Sequence, residues 1–182
     1  MNPSNTVDFV FCPHCGTRLA MRERFGQERP TCPACGFVHF HDPKVAVIGL
    51  VTWRDRVLLI RRGVEPMLGK WALPGGYMDA GEMPQAALAR ELREEVGLDV
   101  EVARLLEIFP MTGAGVVSRG IVLAFDVRVT AAQLPRLVCR DDAQEAAWFG
   151  VQELPTDLAF DSTRMLVAHW RVAILTGGNH EP

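Results

Sequence analysis

Apolar residues occur in several short blocks along the chain after residue 43, and each block predicts a regular element. Two apolar runs, 44–53 (KVAVIGLVTW) and 56–62 (RVLLIRR), are separated by two polar residues, which predicts a β-hairpin. Residues 119–129 (RGIVLAFDVRV) and 145–151 (EAAWFGV) have the β-branched and aromatic composition of further strands. The pattern therefore predicts an α/β domain.

Two segments are predicted to be helical. Residues 83–97 (MPQAALARELREEVG) are a run of good helix formers that ends at Gly97, and a Gly- and Pro-rich loop, 69–82, precedes them. A final helix is predicted to start with Ser162 as its N-cap. Its predicted apolar stripe, at helical spacing, consists of Met165, Ala168, Val172 and Leu175.

The N-terminal part of the chain has a different composition. Residues 11–40 are rich in Cys, Pro and Gly and lack a long apolar run, so they need a further constraint to fold. The apolar blocks begin after Pro43. We therefore predict a small N-terminal domain at 1–43 and a main domain at 44–182.

Five cysteines are present, and four of them form two CxxC pairs, Cys12 with Cys15 and Cys32 with Cys35, separated by sixteen residues. This spacing predicts a zinc ribbon, in which four thiolates hold a structural zinc and leave no position for water. Two redox-active CxxC motifs are the alternative, and the absence of a βαβ pattern around them disfavours it. The fifth cysteine, Cys139, is predicted to be an inert thiol, buried or partly buried.

The charge balance gives no sign of a nucleic-acid partner. The net charge of the 182-residue chain is -3. Segment 1–43 has four arginines and four acidic residues: Arg18, Arg22, Arg24, Arg29, Asp8, Glu23, Glu28 and Asp42. Four thiolates and one zinc add about two negative charges, which opposes phosphate binding. The ribbon is thus expected to serve packing, dimerisation or the substrate rim, and the protein to be cytoplasmic, without a membrane span and with a small-molecule partner.

Carboxylates dominate one side of the predicted helix at 83–97. At roughly 100° per residue one arc contains Glu91, Glu94 and Glu95. The adjacent apolar arc contains Leu88, Ala89, Leu92 and Val96. Carboxylates this close repel one another unless a hard cation binds them, which favours a magnesium or manganese site. The alternative is a solvated acidic face in which Arg90 and Arg93 form salt bridges.

Nine positions share the spacing G-x5-E-x7-R-E-L-x-E-E-x-G-L: Gly76, Glu82, Arg90, Glu91, Leu92, Glu94, Glu95, Gly97 and Leu98. This pattern resembles the complete Nudix box of the Nudix hydrolases. The resemblance implies a Nudix α/β/α sandwich that cleaves a nucleoside diphosphate linked to another moiety, with Gly75 and Gly76 in the substrate-binding loop. It implies that Glu91 and Glu95 are the principal metal ligands, that Glu94 is a further ligand with a catalytic role, that Glu82 is a peripheral acidic ligand and that Arg90 orients the glutamates.

The resemblance extends from Cys12 to about Trp170 and is similar to zinc-ribbon Nudix pyrophosphatases, including enzymes that act on FAD and ADP-ribose. It implies FAD or ADP-ribose as substrate, a divalent catalytic metal (Mg²⁺ or Mn²⁺) and a homodimer. NADH is expected to be secondary, because LLEIFPMTGAGVVSRG stands where NADH pyrophosphatases have a different signature. The alternatives are a house-cleaning hydrolase of modified nucleoside triphosphates and a regulator that binds nucleotides without cleaving them.

A base for the attacking water must come from outside the helix if metal occupies its carboxylates. Glu145 in QEAAWF is the candidate, and an exposed glutamate without function is its alternative. Trp71, Phe109 and Trp148 could stack on a base or flavin, but aromatic residues near apolar strands are more often core residues. None of the three is assigned a role.

Overall fold

The computed structural model describes residues 9–111, 120–129, 137–139 and 142–177. Within these ranges, 9–43 form one compact unit and the described residues from 44 onward form a second. No helix among the described residues is both long and apolar enough to cross a membrane.

The first unit is a two-stranded antiparallel hairpin with a cysteine knuckle before it and another after it. Strand β1 (Ala20–Arg24) pairs with β2 (Gln27–Thr31), and the pairing runs from Ala20↔Thr31 to Arg24↔Gln27. Phe25 and Gly26 form the turn, with φ of 52° and 73°. The hairpin thus returns the chain from the first CxxC pair to the second.

The second unit is built on a seven-stranded mixed sheet. Its strands are β3 (Lys44–Trp53), β4 (Arg56–Arg62), β5 (Trp71–Ala72), β6 (Gly75–Tyr77), β7 (Arg104–Pro110), β8 (Gly120–Arg128) and β9 (Ala143–Gly150). The order is β5-β4-β3-β8-β7, with β6 on β3 and β9 on β4; β3 and β8 are parallel, and the other pairs are antiparallel. The predicted β3–β4 hairpin is confirmed, whereas β7 was not predicted, and the predicted loop at 69–82 contains the short strands β5 and β6.

Each face of the sheet packs against one helix, α1 (Pro84–Val96) or α2 (Asp161–Leu175). The α1-side core joins the sheet residues Val47, Val51, Leu58, Ile60, Phe125 and Val127 to Ala87, Leu88, Leu92 and Val96. The α2-side core joins Leu50, Val57, Leu59, Phe109 and Ala124 to Leu166, Val167 and Trp170. Strand residues alternate between the two faces. The predicted α/β/α sandwich is confirmed.

Helix α1 matches its prediction closely. It has Pro84 in its first turn, where a missing N–H costs nothing, and it ends before Gly97, whose φ of 73° is left-handed. Gly97 N donates to Arg93 O and Leu98 N donates to Leu92 O, which satisfies the last turn. The predicted apolar arc is the buried one, except that Ala89 is only partly buried and Ala87 is fully buried.

Helix α2 is confirmed, but two details of its prediction are wrong. Its N-cap position is Phe160, and Ser162 is a buried residue of the first turn that makes no capping hydrogen bond. The predicted stripe lies outward: Met165, Val172 and Leu175 are 49%, 58% and 56% exposed. Ala168 is exposed too. Apolar residues occupy two sides of this helix. The sheet buries the side with Leu166, Val167 and Trp170, and the side with the predicted stripe is exposed.

The three aromatic residues without an assigned role are core residues, whereas Cys139 differs from its prediction. Trp71 and Phe109 are buried in the α2-side core, and Trp148 packs against the α1-side core, so all three contribute to packing. Cys139 is exposed, and the prediction that it is buried is wrong.

Candidate functional site

The four paired cysteines bring their sulfurs together in the first unit. All four Sγ atoms lie within 4.8 Å of one another. Cys12 and Cys35 are 3.6 Å apart, Cys15 and Cys32 are 3.5 Å apart, and Cys15 and Cys35 are 3.6 Å apart. Zn–S bonds of about 2.3 Å in a tetrahedron require sulfurs about 3.8 Å apart, so the donor set fits a tetrahedral zinc ion.

The two knuckles are built alike, because both segments read Cys-Pro-x-Cys-Gly. Gly16 N donates to Cys12 O and Gly36 N donates to Cys32 O, and the two glycines have φ of 71° and 77°. A side chain at either glycine would strain this turn. Thr17 beside Cys15 lowers the pKa of that thiol to about 6, which favours the thiolate that a metal needs.

A glycine pair in β6 lies against the carboxylates of α1 in the second unit. Gly75 has φ of 141°, and a Cβ there would be 2.1 Å from Val47 O. A Cβ on Gly76 would be 2.5–2.7 Å from the carboxylate of Glu91. Only glycine therefore allows β6 to approach both β3 and α1 so closely.

Glu95 is the most buried carboxylate of this site, with 3% of the residue exposed. Gly75 N donates a 2.9 Å hydrogen bond to its Oε2. Burial raises the pKa of Glu95 to about 8; the hydrogen bond from Gly75 opposes this shift, and the charges of Glu91 and Asp142 add to it. A cation beside Glu95 would stabilise its charged form.

Arg90 organises the other three glutamates. Its guanidinium donates two 3.0 Å hydrogen bonds to Glu82, one of 2.9 Å to Glu91 and one of 3.1 Å to Glu94. A further bond to Tyr77 O ties it to β6. The pairing with Arg90 lowers the pKa of Glu82. Three carboxylates thus share one arginine, which leaves an excess of negative charge at the site.

The carboxylate oxygens of the glutamates are more widely spaced than the four sulfurs. The four cysteines are the one set of three or more metal-binding side chains among the described residues whose ligand atoms all lie within 4.8 Å. Mg²⁺ and Mn²⁺ do not need a compact protein cage, since they keep several waters and use one or two carboxylates plus substrate phosphates. The hard oxygen donors of Glu91 and Glu95 therefore fit such a cation.

Glu145 lies on the other face of the sheet from α1. It pairs with Arg61 across β4 and β9, and Arg61 Nη1 is 3.7 Å from its Oε2. Along β9, alternate residues Ala147 and Phe149 pack in the α2-side core, and Glu145 shares their face. The structure therefore does not bring Glu145 together with the glutamates of α1.

Asp142 is the acidic residue that the sequence interpretation missed. It precedes β9, is exposed, and is close enough to Glu95 to raise its pKa. Its carbonyl oxygen accepts a 2.6 Å hydrogen bond from Gly63 N, which holds this turn beside the end of β4. The sequence did place Asp142 close to the QEAAWF segment, but only the structure shows that its charge raises the pKa of Glu95.

Comparison with protein families matches residues 41–168 to the NUDIX domain. An ADP-ribose pyrophosphatase of Methanocaldococcus jannaschii is 35% identical over 129 residues, which cover 71% of this chain and 74% of that protein. The NAD-capped RNA hydrolase NudC of Stutzerimonas stutzeri is 30% identical over 151 residues, 80% of this chain. Those residues cover 49% of that relative, so this chain spans about half its length.

A solved structure resembles the chain over nearly its whole length. The crystal structure of a NUDIX hydrolase from Nitrosomonas europaea matches with a TM-score of 0.80 and 28% identity. The match covers 92% of this chain and 93% of the other. The similarity thus includes more than the residues of the NUDIX domain.

Proposed function

This chain belongs to the NUDIX domain family and is a Nudix hydrolase of a nucleoside diphosphate linked to another moiety, and we propose that its substrate is ADP-ribose or FAD. The contact of Gly75 and Gly76 with Glu95 and Glu91 carries this proposal, because it brings a backbone free of side chains next to carboxylates suited to a cation. The similarity to an ADP-ribose pyrophosphatase favours ADP-ribose. NADH stays the secondary candidate.

We propose that Glu91 and Glu95 are the principal ligands of Mg²⁺ or Mn²⁺, with Glu94 as a further ligand and Glu82 at the periphery. A bound cation would neutralise charge on the diphosphate and activate a water. Arg90 would position the carboxylates through its hydrogen bonds to Glu82, Glu91 and Glu94. Gly75 and Gly76 would let the diphosphate approach the backbone of β6.

We propose that a zinc ion has a structural role in this protein, in contrast to the catalytic Mg²⁺ or Mn²⁺. We assign it to Cys12, Cys15, Cys32 and Cys35, with residues 1–43 as the zinc ribbon and 44–182 as the hydrolase domain. Homodimer assembly and a cytoplasmic location stay predictions from the sequence.

We propose Asp142 in place of Glu145 as the acid that accepts a proton from the attacking water. Asp142 acts electrostatically on Glu95, whereas Glu145 is paired with Arg61 on the opposite face. A base must be within hydrogen-bond reach of the water, directly or through one further water, and a residue on the opposite face of the sheet does not meet that condition.

The first test compares Asp142→Asn with Glu145→Gln, two substitutions that each replace a carboxylate by the matching amide. Asp142→Asn is expected to lower kcat for ADP-ribose by about tenfold to a hundredfold, because the proton acceptor is removed. Glu145→Gln is expected to stay within about threefold of the parent, because exposed ion pairs contribute little. Steady-state kinetics at saturating Mg²⁺ measure both, and the reverse ranking would restore Glu145 as the base.

Product analysis tests the substrate. With Mg²⁺ or Mn²⁺, ADP-ribose should give AMP and ribose 5-phosphate, FAD should give AMP and FMN, and NADH should react more slowly. Release of pyrophosphate from nucleoside triphosphates, with these diphosphates untouched, would identify a house-cleaning hydrolase. Nucleotide binding without turnover on the whole panel would identify a regulator.

A further inference from the structure

The hairpin of β1 and β2 separates its charges by sign. In an antiparallel pair, residues that are directly opposite share a face, and successive residues alternate between faces. Arg22 is opposite Arg29 and Arg24 is opposite Gln27, whereas Glu23 is opposite Glu28. One face thus has three arginines and no acidic residue, and the other has both glutamates. We call the first the arginine face (Arg22, Arg24, Arg29).

This arrangement is unfavourable for the hairpin on its own. Like charges directly opposite each other destabilise a strand pair, and both Arg22–Arg29 and Glu23–Glu28 are pairs of this kind. All residues of β1 are exposed and Arg29 of β2 is partly exposed, so the arginine face is accessible to solvent. No described carboxylate forms an ion pair with its arginines. The face therefore offers its positive charge to a ligand.

Two phenylalanines border the arginine face at the turn of the hairpin. Phe25 is 77% exposed and Phe40 is 47% exposed, with their ring centroids 5.7 Å apart. The guanidinium of Arg29 lies 5.1 Å from the Phe40 centroid and donates to the carbonyls of Arg24 and Phe25. Phe25 has a positive φ of 52°, which is unusual for a bulky residue. Its ring is therefore held out in solvent at a backbone cost.

We propose that the arginine face and the two rings bind single-stranded nucleic acid. Arginines spaced along a strand can contact successive phosphates, and exposed aromatic rings can stack on unpaired bases. The acidic side chains of a protein segment would pair with the arginines but would not stack on the two exposed rings. The combination of both features therefore favours an unpaired strand.

The zero net charge of residues 1–43 gave no sign of nucleic-acid binding, because a sum over the segment averages the positive and the negative face of the hairpin. The zinc-thiolate cluster adds negative charge, but it lies at the opposite end of the hairpin from Phe25. Gln27, opposite Arg24, is five positions along the chain from Cys32, which at about 3.3 Å per residue is about 16 Å, and Arg29, opposite Arg22, is three positions away, about 10 Å. Both distances exceed the Debye length of about 8 Å at physiological salt, so the charge of the cluster is largely screened at Arg24 and partly screened at Arg22 and Arg29.

Binding of a fluorescein-labelled 12-nucleotide oligo(U) RNA to the full-length protein, followed by fluorescence anisotropy, tests this proposal. Arg22→Gln alone should weaken binding at low salt, and Arg22→Gln together with Arg24→Gln should weaken it by about tenfold. It should also reduce the slope of log K against log salt by about 0.7 for each phosphate that the variant no longer neutralises. Phe25→Leu keeps an apolar side chain but removes the ring, and should weaken binding by about fivefold. Oligo(dT) of the same length shows whether RNA or DNA is the tighter strand.

Met21→Glu is the matched control, because it changes the net charge by the same amount as Arg22→Gln but lies on the glutamate face. It should bind like the parent, and the zinc content of every variant should match the parent. The proposal is overturned if the parent does not bind either strand at low salt, if a 12-base-pair RNA duplex binds as tightly as the single strand, or if Met21→Glu weakens binding as much as Arg22→Gln. Hydrolysis of ADP-ribose, measured on the same samples, should be unchanged, so failure of the substrate proposal would be seen separately.

Discussion

Glu95→Gln is expected to lower kcat/KM for ADP-ribose by about two or more orders of magnitude. The amide has nearly the same shape and can still accept the hydrogen bond from Gly75 N. It cannot supply the negative charge that we propose holds the catalytic cation. The loss should therefore come from weaker neutralisation of the diphosphate in the transition state, with little change in the fold.

The assay should be run over a range of Mg²⁺ concentrations up to saturation, so that weaker metal binding is separated from a slower reaction. Glu101→Gln, at an exposed position between α1 and β7, is the control for loss of one carboxylate and should keep full activity. The melting temperature of Glu95→Gln should equal or exceed that of the parent, because burial disfavours the charged form of Glu95. Activity within about threefold of the parent at saturating metal would contradict the role assigned to Glu95.

The sequence was sufficient for those elements whose local signals agree with their packing. Helix α1 combines good helix formers, Pro84 in the first turn and Gly97 after the last one, and its apolar arc has no competing apolar side. The β3–β4 hairpin joins two apolar runs through a short polar turn. In both, the local pattern and the buried face lead to the same structure.

Other features depend on contacts that no local pattern contains. Helix α2 has apolar residues on two sides, so its periodicity fits either orientation; the sheet buries Leu166 and Trp170 and leaves Val172 exposed. Glu145 was a suitable candidate because it precedes an apolar run in the sequence, but it lies within β9, and the alternation of residues along the strand places it on the α2 side. Asp142 precedes β9, and its charge raises the pKa of Glu95. Only the pairing of β9 with β4 reveals that Glu145 is opposite Arg61.

The charge of the ribbon shows the same dependence on register. The charged residues of β1 and β2 alternate between positive and negative along the chain, and the net charge of residues 1–43 is zero. The pairing of Arg22 with Arg29 converts that alternation into two oppositely charged faces. A one-residue shift would have mixed the signs, so the property belongs to the fold.

Cys32→Ser is expected to lose the zinc ion and to lower the temperature at which the ribbon unfolds. Cys32 is 2% exposed, its Sγ is 3.5 Å from that of Cys15, and Cys35 N lies 3.4 Å from it as a donor. A serine oxygen is a poor zinc ligand, and a unit of about thirty residues has too small a core to fold without its metal. Elemental analysis should fall from about one zinc per chain to well below that value.

Cys139→Ser is the matched control, since it removes an exposed thiol from the second unit and should keep both the zinc and the melting temperature of the parent.

The two metal sites should also respond differently to chelation. Brief treatment of the parent with EDTA should abolish turnover, and Mg²⁺ or Mn²⁺ should restore it, because carboxylates hold an exchangeable cation. Zinc should remain through this treatment, because four thiolates bind it tightly in a closed site. Active protein that contains no zinc, or a Cys32→Ser variant with the parent's zinc content and melting temperature, would refute a structural zinc in the ribbon.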